Sequence, residues 1–123
     1  MKIVDVIEKV NILKPNTIDD EMKFGWLYEL DKKLFNEIWN NYLNEERDFE
    51  KYVMGQDENV ELQVEEPYTE IYVYWLFSKI DYFQQEYDLY ANDMIMYNSE
   101  YEEYSAWYLK NHEHKPTEIQ VGW

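Results

Sequence analysis

Ile71 to Lys110 reads IYVYWLFSKIDYFQQEYDLYANDMIMYNSEYEEYSAWYLK, forty residues without a glycine or a proline. A run of that length with neither breaker predicts helix throughout. Stepped at about 100° per residue, Val73, Leu76, Phe77, Ile80, Phe83, Tyr87, Met94, Ile95, Tyr101, Tyr108 and Leu109 gather on one face. The opposite face collects Trp75, Tyr82, Leu89 and Met96 at a spacing of seven, with Tyr104 and Trp107 nearby. One straight helix of this length would run about 60 Å, about twice the width of a domain this size. The stretch therefore predicts a break or sharp bend between Gln84 and Asn92, its most polar part, although no breaker residue marks the point.

Toward the N-terminus the chain changes character. Segment 45–70 holds ten acids against two bases, Arg47 and Lys51, and so carries half of the net charge of −16. Phe49-Glu50-Lys51-Tyr52-Val53 and Val60-Glu61-Leu62-Gln63-Val64 alternate, with Gly55 and Asp57 between them. Such alternation suits a β-hairpin with one solvated face, and an extended loop is the other reading. Pro67 closes the segment at the first turn of the next helix, where a missing amide is tolerated.

Upstream, a second helix begins near Asp19. Asp19 or Thr17 is placed to cap it, and Asp20 and Glu21 sit in its first turn, where the helix dipole favours anions. One stripe is Trp26, Leu27, Leu30, Leu34 and Ile38, and beside it run Phe24, Tyr28, Phe35, Trp39 and Tyr42. Together they cover about 220° of the helical wheel, whereas one core needs an arc little wider than about 100°. Such a helix is either central in the fold or touches a second chain. Asn40, Asn41 and Asn44 mark its end. The first helix, 2–13, puts Ile3, Val6, Ile7, Val10 and Leu13 on one side and stops at Pro15. At the other terminus, Asn111 to Pro116 is a stop signal, and Thr117 to Trp123 reads as an extended arm. The expected fold is mainly α: about four helices in a small bundle, with a short β-hairpin or extended acidic loop (45–66) between helices 2 and 3. A single domain spans 1–115, and 116–123 form the tail, whose Ile119, Val121 and Trp123 are candidates for docking on a partner.

The totals bound what such a fold can do. A chain of 123 residues makes one domain and buries roughly two thirds of its unfolded surface. The absence of Cys excludes disulfides and thiolate metal sites. Asp5 falls where a signal peptide would be apolar, and the richest apolar window, Ile71 to Phe77, is far short of the roughly 20 residues of a membrane span. Neither a leader nor membrane association is expected, and the cytoplasm is the expected compartment. A net charge of −16 disfavours nucleic-acid binding through a basic patch and favours basic partners.

No catalytic motif is present. His112 and His114 flank Glu113 at a spacing that does not share a helix face, so they read as a solvated helix end. Asp57, Glu58 and Glu61 lack the calcium-loop pattern. Glu100, Glu102 and Glu103 read as a solvated face, and Asp81 as a structural hydrogen-bond acceptor. With three glycines in all, no phosphate-cradling loop is available. Neither enzymatic activity nor a cofactor or metal is expected. The one sharp feature is the doubled aromatic faces. Phe24, Tyr28, Phe35, Trp39, Trp75, Tyr82, Leu89 and Met96 are either a thick core or a lateral subunit interface, where Tyr and Trp are favoured.

The order of segments resembles a family of small head–tail connector (adaptor-type) proteins of tailed phages and prophages of Gram-positive bacteria. The resemblance runs through Leu13-Lys14-Pro15-Asn16, then Asp19-Asp20-Glu21, Trp26-Leu27 and Glu29-Leu30-Asp31. It continues in an acidic linker closing on Pro67, and in Tyr74, Ile80-Asp81, Glu86-Tyr87, Tyr90, Asn92-Asp93-Met94 and Tyr97-Asn98. Segment 45–66 departs from the family pattern and carries more acid. The resemblance implies a virion neck protein, made in the host cytoplasm, that forms a homo-oligomeric ring below the portal protein. Such a ring meets the next neck or stopper protein and lets DNA pass without specific binding. Two apolar faces suit a closed heterologous ring. The competing expectation, from charge alone, is an acidic DNA mimic that inhibits a host DNA-binding protein.

Overall fold

A computed structural model describes residues 1–116. Four helices make the domain: α1 (Ile3–Leu13), α2 (Asp20–Glu37), α3 (Glu70–Phe83) and α4 (Tyr87–Asn111), with a 3₁₀ turn at Trp39–Asn41 after α2. The molecule is mainly helical and packs as a small helical bundle. No helix among the described residues is long and apolar enough to cross a membrane.

Helix α3 is the hub. It packs against α1, α2 and α4, and its sequence explains why. Ile71, Tyr72, Val73, Trp75, Leu76 and Ile80 are all buried, so apolar side chains leave it on every side, as a central helix requires. Helix α2 faces it with Phe24, Leu27, Leu30 and Leu34, and α1 with Ile3, Val6, Ile7 and Val10. Helix α4 lies outermost and buries Tyr97, Tyr104 and Tyr108 against the rest.

The break in the long stretch falls at Gln84–Glu86, inside the expected window, and its geometry is that of a Schellman turn. The Glu86 N–H donates to the Asp81 carbonyl at 2.8 Å, and the Gln85 N–H to that of Tyr82 at 3.1 Å. Gln85 sits in the left-handed region at φ 63°, a place glycine usually fills. The core face expected for one continuous helix holds only in part beyond Ile80. Tyr108 of that face is buried, whereas Phe83 at the end of α3 and Tyr87, Ile95 and Leu109 of α4 are exposed; the turn re-aims α4 and breaks the helical phase.

Segment 42–69 is a loop, and the β-hairpin is not formed. The alternation of Val60 to Val64 is real, with Leu62 and Val64 inside and Glu61 outside. Its partner, though, is the chain's own N-terminus. Lys2 and Glu61 form an isolated antiparallel bridge, and the Leu62 N–H donates to the Met1 carbonyl at 2.9 Å. The first amides of α1 are satisfied in turn: Ile3 N–H donates to Val60 O and Val4 N–H to Glu58 O, each at 3.0 Å. The loop thereby supplies the acceptors that a helix start lacks.

The expected caps of α2 differ in detail. Asp19 is the N-cap residue but makes no side-chain capping bond, and neither does Thr17. Asn16 holds the entry instead, its Oδ1 accepting the Ile18 N–H at 3.1 Å. Beside it Lys23 is fully buried, and its ammonium donates to Asn11 Oδ1, the Ile18 carbonyl and Asp20 Oδ1 at 2.8, 2.9 and 3.1 Å. Three acceptors satisfy all three of its protons, which is what makes a buried lysine tolerable.

Candidate functional site

The aromatic residues of the doubled faces divide into three groups. Phe24, Trp39 and Trp75 belong to the protomer's own core. The Trp75 indole N–H donates to the Trp26 carbonyl at 2.8 Å, which places that side chain under α2. Tyr28 and Phe35 are half-buried, and the loop covers them. Tyr28 meets Phe49 and Tyr52 edge-on at 5.9 and 5.7 Å, and Phe35 meets Phe49 at 6.4 Å. The wide apolar arc of α2 is thus explained within one chain: α3 takes one side and the aromatics of the loop take the other. Tyr82, Leu89 and Met96 form the third group and are exposed by 59, 47 and 42%.

These exposed residues extend from the α3–α4 turn along α4. Tyr82 packs on Tyr87 at 5.9 Å and on Tyr90 at 5.1 Å, so the turn is surfaced by its own aromatics. Phe83 touches Trp26 at 6.4 Å with its ring still largely in solvent. The end of α1 reaches the same corner through Lys14, whose Nζ donates to Asp81 Oδ2 at 2.6 Å and lies 5.1 Å over the Phe77 ring. Asp81 is thus the structural acceptor its place in the sequence implies. Asp93 lies near that same carboxylate, and burial together with the neighbouring acid pushes its carboxyl up to about 7. Its Oδ2 is buried and receives no hydrogen bond. A proton on Asp93 spares it a buried negative charge beside another acid.

The opposite end of the bundle is closed by aromatic side chains with polar tips. Trp39 donates its indole N–H to Tyr104 Oη at 2.8 Å, and Tyr104 passes its own proton to Glu65 Oε1 at 2.7 Å. Arg47 lies 4.1 Å over the Trp39 ring and donates to the Gln63 carbonyl at 2.7 Å. Its remaining nitrogens face Glu45 and Glu65 at 3.2 and 3.5 Å. His112 stacks on Tyr108 at 3.8 Å and faces Glu45 at 3.4 Å. His114 pairs with Tyr42 across an isolated bridge. Both histidines fasten the end of α4 to the loop, and among the described residues no metal-ligand cluster forms.

Between the two ends, one buried carboxylate ties three elements together. Asp31 of α2 accepts the hydroxyls of Tyr52 from the loop and Tyr72 from α3. Tyr72 Oη accepts the Val64 N–H at 2.8 Å. Desolvation pushes the Asp31 carboxyl up to about 6, against the pull of these donors. Burial and the adjacent carboxylate likewise push both tyrosines well above their usual range, so they stay protonated donors.

Much of the acid in the loop is used internally. Glu61 and Glu66 pair with the N-terminal ammonium at 2.9 and 3.4 Å, and Glu70 with Lys9. Asp57 accepts the Val53 N–H at 2.7 Å, and Glu58 accepts the Gly55 N–H. The sequence showed where this charge lies but could not show where it points. The tail candidates Ile119, Val121 and Trp123 lie outside the described residues. No family model, no curated protein and no solved structure matches the chain.

Proposed function

We propose that the chain is a non-enzymatic head–tail connector subunit that assembles as a ring below a portal protein in a phage neck. One structural observation supports the reading beside the resemblance. Tyr82, from the stripe singled out in the sequence, stays exposed with Phe83 and Tyr87 at the corner that joins α3 to α4, and Leu89 and Met96 stay exposed further along α4. Exposed aromatic side chains gathered at one corner, as Tyr82 is with Tyr87 and Tyr90, mark surfaces that meet protein. A ring would pair this face with a different patch of the neighbour, a heterologous contact that closes on itself. A net charge of −16 suits a wall past which a phosphate backbone slides.

The DNA-mimic reading has less support than the bare charge count gave it. Glu45 and Glu65, largely covered, answer Arg47 of the same chain, and a mimic needs its carboxylates free and facing outward. The test is electron microscopy of the chain mixed with its portal, together with head–tail joining in its absence. Rings on the portal vertex, and filled heads that fail to join tails when the gene is deleted, are the expected results. No association with the portal and normal joining without the protein would sink the proposal.

A further inference from the structure

The first turns of α2 and the loop tip around Met54 enclose a cleft of about 490 Å³. That is within the roughly 300–1,000 Å³ of ligand-holding clefts. Met22, Val53 and Met54 line it and are exposed by 39, 42 and 48%. Asp19 and Glu21 stand on the helix side, and Lys51 on the loop side. Gly25 also lines it, and its presence is not explained by the protomer's own packing. It sits inside α2, where glycine is about 0.5–1 kcal/mol worse than alanine. A Cβ built there meets nothing within 4 Å, and the backbone is not left-handed. The fold would be better served by alanine, so the bare backbone is of use to something that enters the cleft.

We propose that this cleft is a docking site for a short peptide segment of a partner protein, apolar in its centre and with Lys or Arg at one end. The two methionines supply flexible, polarizable walls that adapt to an inserted apolar side chain. Gly25 lets that side chain approach the helix backbone. Asp19 and Glu21 set the direction of the segment by taking its cations on the α2 side, while Lys51 disfavours cations at the loop side. The overall charge of −16 draws such a segment in and repels a second copy of this chain. The proposal does not depend on the neck reading, since it needs only a cationic, apolar partner segment.

The test uses the full chain with 13C-labelled methionine methyl groups. It is titrated with a synthetic ten-residue peptide of alternating Leu and Lys, a Leu–Glu counterpart and an all-Lys peptide. The Met22 and Met54 signals are expected to shift saturably with the Leu–Lys peptide alone, while Met94 and Met96 stay in place. Gly25→Leu fills the floor and is expected to weaken binding at least tenfold. Gly25→Ala is expected to raise the melting temperature and to weaken binding severalfold. The proposal is overturned if the Met94 and Met96 signals move together with those of Met22 and Met54, or if the all-Lys peptide acts equally. It is also overturned if Met22 and Met54 respond only to protein concentration, which would indicate a second copy, or if a folded Gly25→Ala protein binds undiminished.

Discussion

Tyr72 gives its hydroxyl proton to Asp31 across 2.5 Å, and both residues are fully buried. That bond joins α3 to α2, and a second hydroxyl, from Tyr52, draws the loop to the same carboxylate. Replacing Asp31 by Leu leaves two buried hydroxyls without their acceptor, at roughly 1–3 kcal/mol each. The Asp31→Leu protein is expected to lose about 2–4 kcal/mol in urea unfolding. Asp31→Asn keeps one acceptor and gains a donor, and is expected to lose about 1 kcal/mol or less at neutral pH. Equal losses for the two variants would show that the carboxylate is not the tie.

The same carboxylate gives stability a pH dependence of definite sign. Its folded value of about 6 lies above the ordinary aspartate value of 3.8, so the folded state holds the proton more tightly. The resulting stabilisation is complete below about pH 4 and lost as pH rises through 6, on the order of 3 kcal/mol in all. Asp93, raised to about 7 by burial and Asp81, acts in the same direction up to neutral pH. Glu61, lowered by the N-terminal ammonium, acts oppositely: its contribution is lost in acid. The melting temperature is expected to be highest near pH 5 and to fall toward pH 8. Asp31→Asn is expected to flatten that slope, and a wild-type melting temperature rising from pH 5 to 8 would refute the assignment.

Gln85 occupies a left-handed position at φ 63°, which costs a side chain roughly 1–2 kcal/mol. Gln85→Gly removes that strain while giving the unfolded chain more freedom, worth roughly 0.4–1 kcal/mol the other way. The net expectation is stabilisation of about 0.5–1 kcal/mol by thermal melting. A β-branched replacement such as Gln85→Val is expected to lose at least as much.

Arg47 fastens the loop by its flat face on Trp39 and its N–H groups on the Gln63 carbonyl. Arg47→Ala removes the stack and leaves Glu45 and Glu65 without their cation. About 2–3 kcal/mol of stability is expected to go with it. Limited proteolysis should then cut within 45–66 well before the helices. Arg47→Lys should rescue little, because an ammonium cannot stack and fork at once.

Exposed apolar residues at the corner carry the assembly proposal. Tyr82→Asp combined with Leu89→Asp is expected to leave melting within about 0.5 kcal/mol of the parent, because both side chains are exposed. The pair is expected to abolish ring formation on the portal vertex. Rings formed normally by the double variant would move the interface elsewhere.

Helix positions were legible in the sequence because stripes such as Ile3, Val6 and Val10 are local patterns. The break was legible only as polarity, since the left-handed site that makes it is filled by Gln85 and not by glycine. Trp75, Tyr82, Leu89 and Met96 form one line only on a continuous helix, and the turn at 84–86 separates them. In the loop, the alternation from Val60 to Val64 was correct, but its partner lies some sixty residues away at Met1 and Lys2. No local pattern carries that pairing. The docking cleft escaped notice because its parts, Met22, Gly25 and Met54, are unremarkable apart and meet only in the fold.

The loop from Tyr42 to Thr69 has no ladder of its own, and this shapes how the sequence is free to change. In the helices a position asks for a class of residue, so Leu30 or Val6 is exchangeable for another apolar side chain of similar bulk. In the loop, Tyr52, Arg47 and Glu65 are each held by a particular reach and a particular hydrogen-bonding group. Substitution there is tolerated by identity or not at all. A saturation scan should therefore show broad, shallow tolerance along the four helices. Across the loop it should show a few absolute positions set among neighbours that accept almost anything.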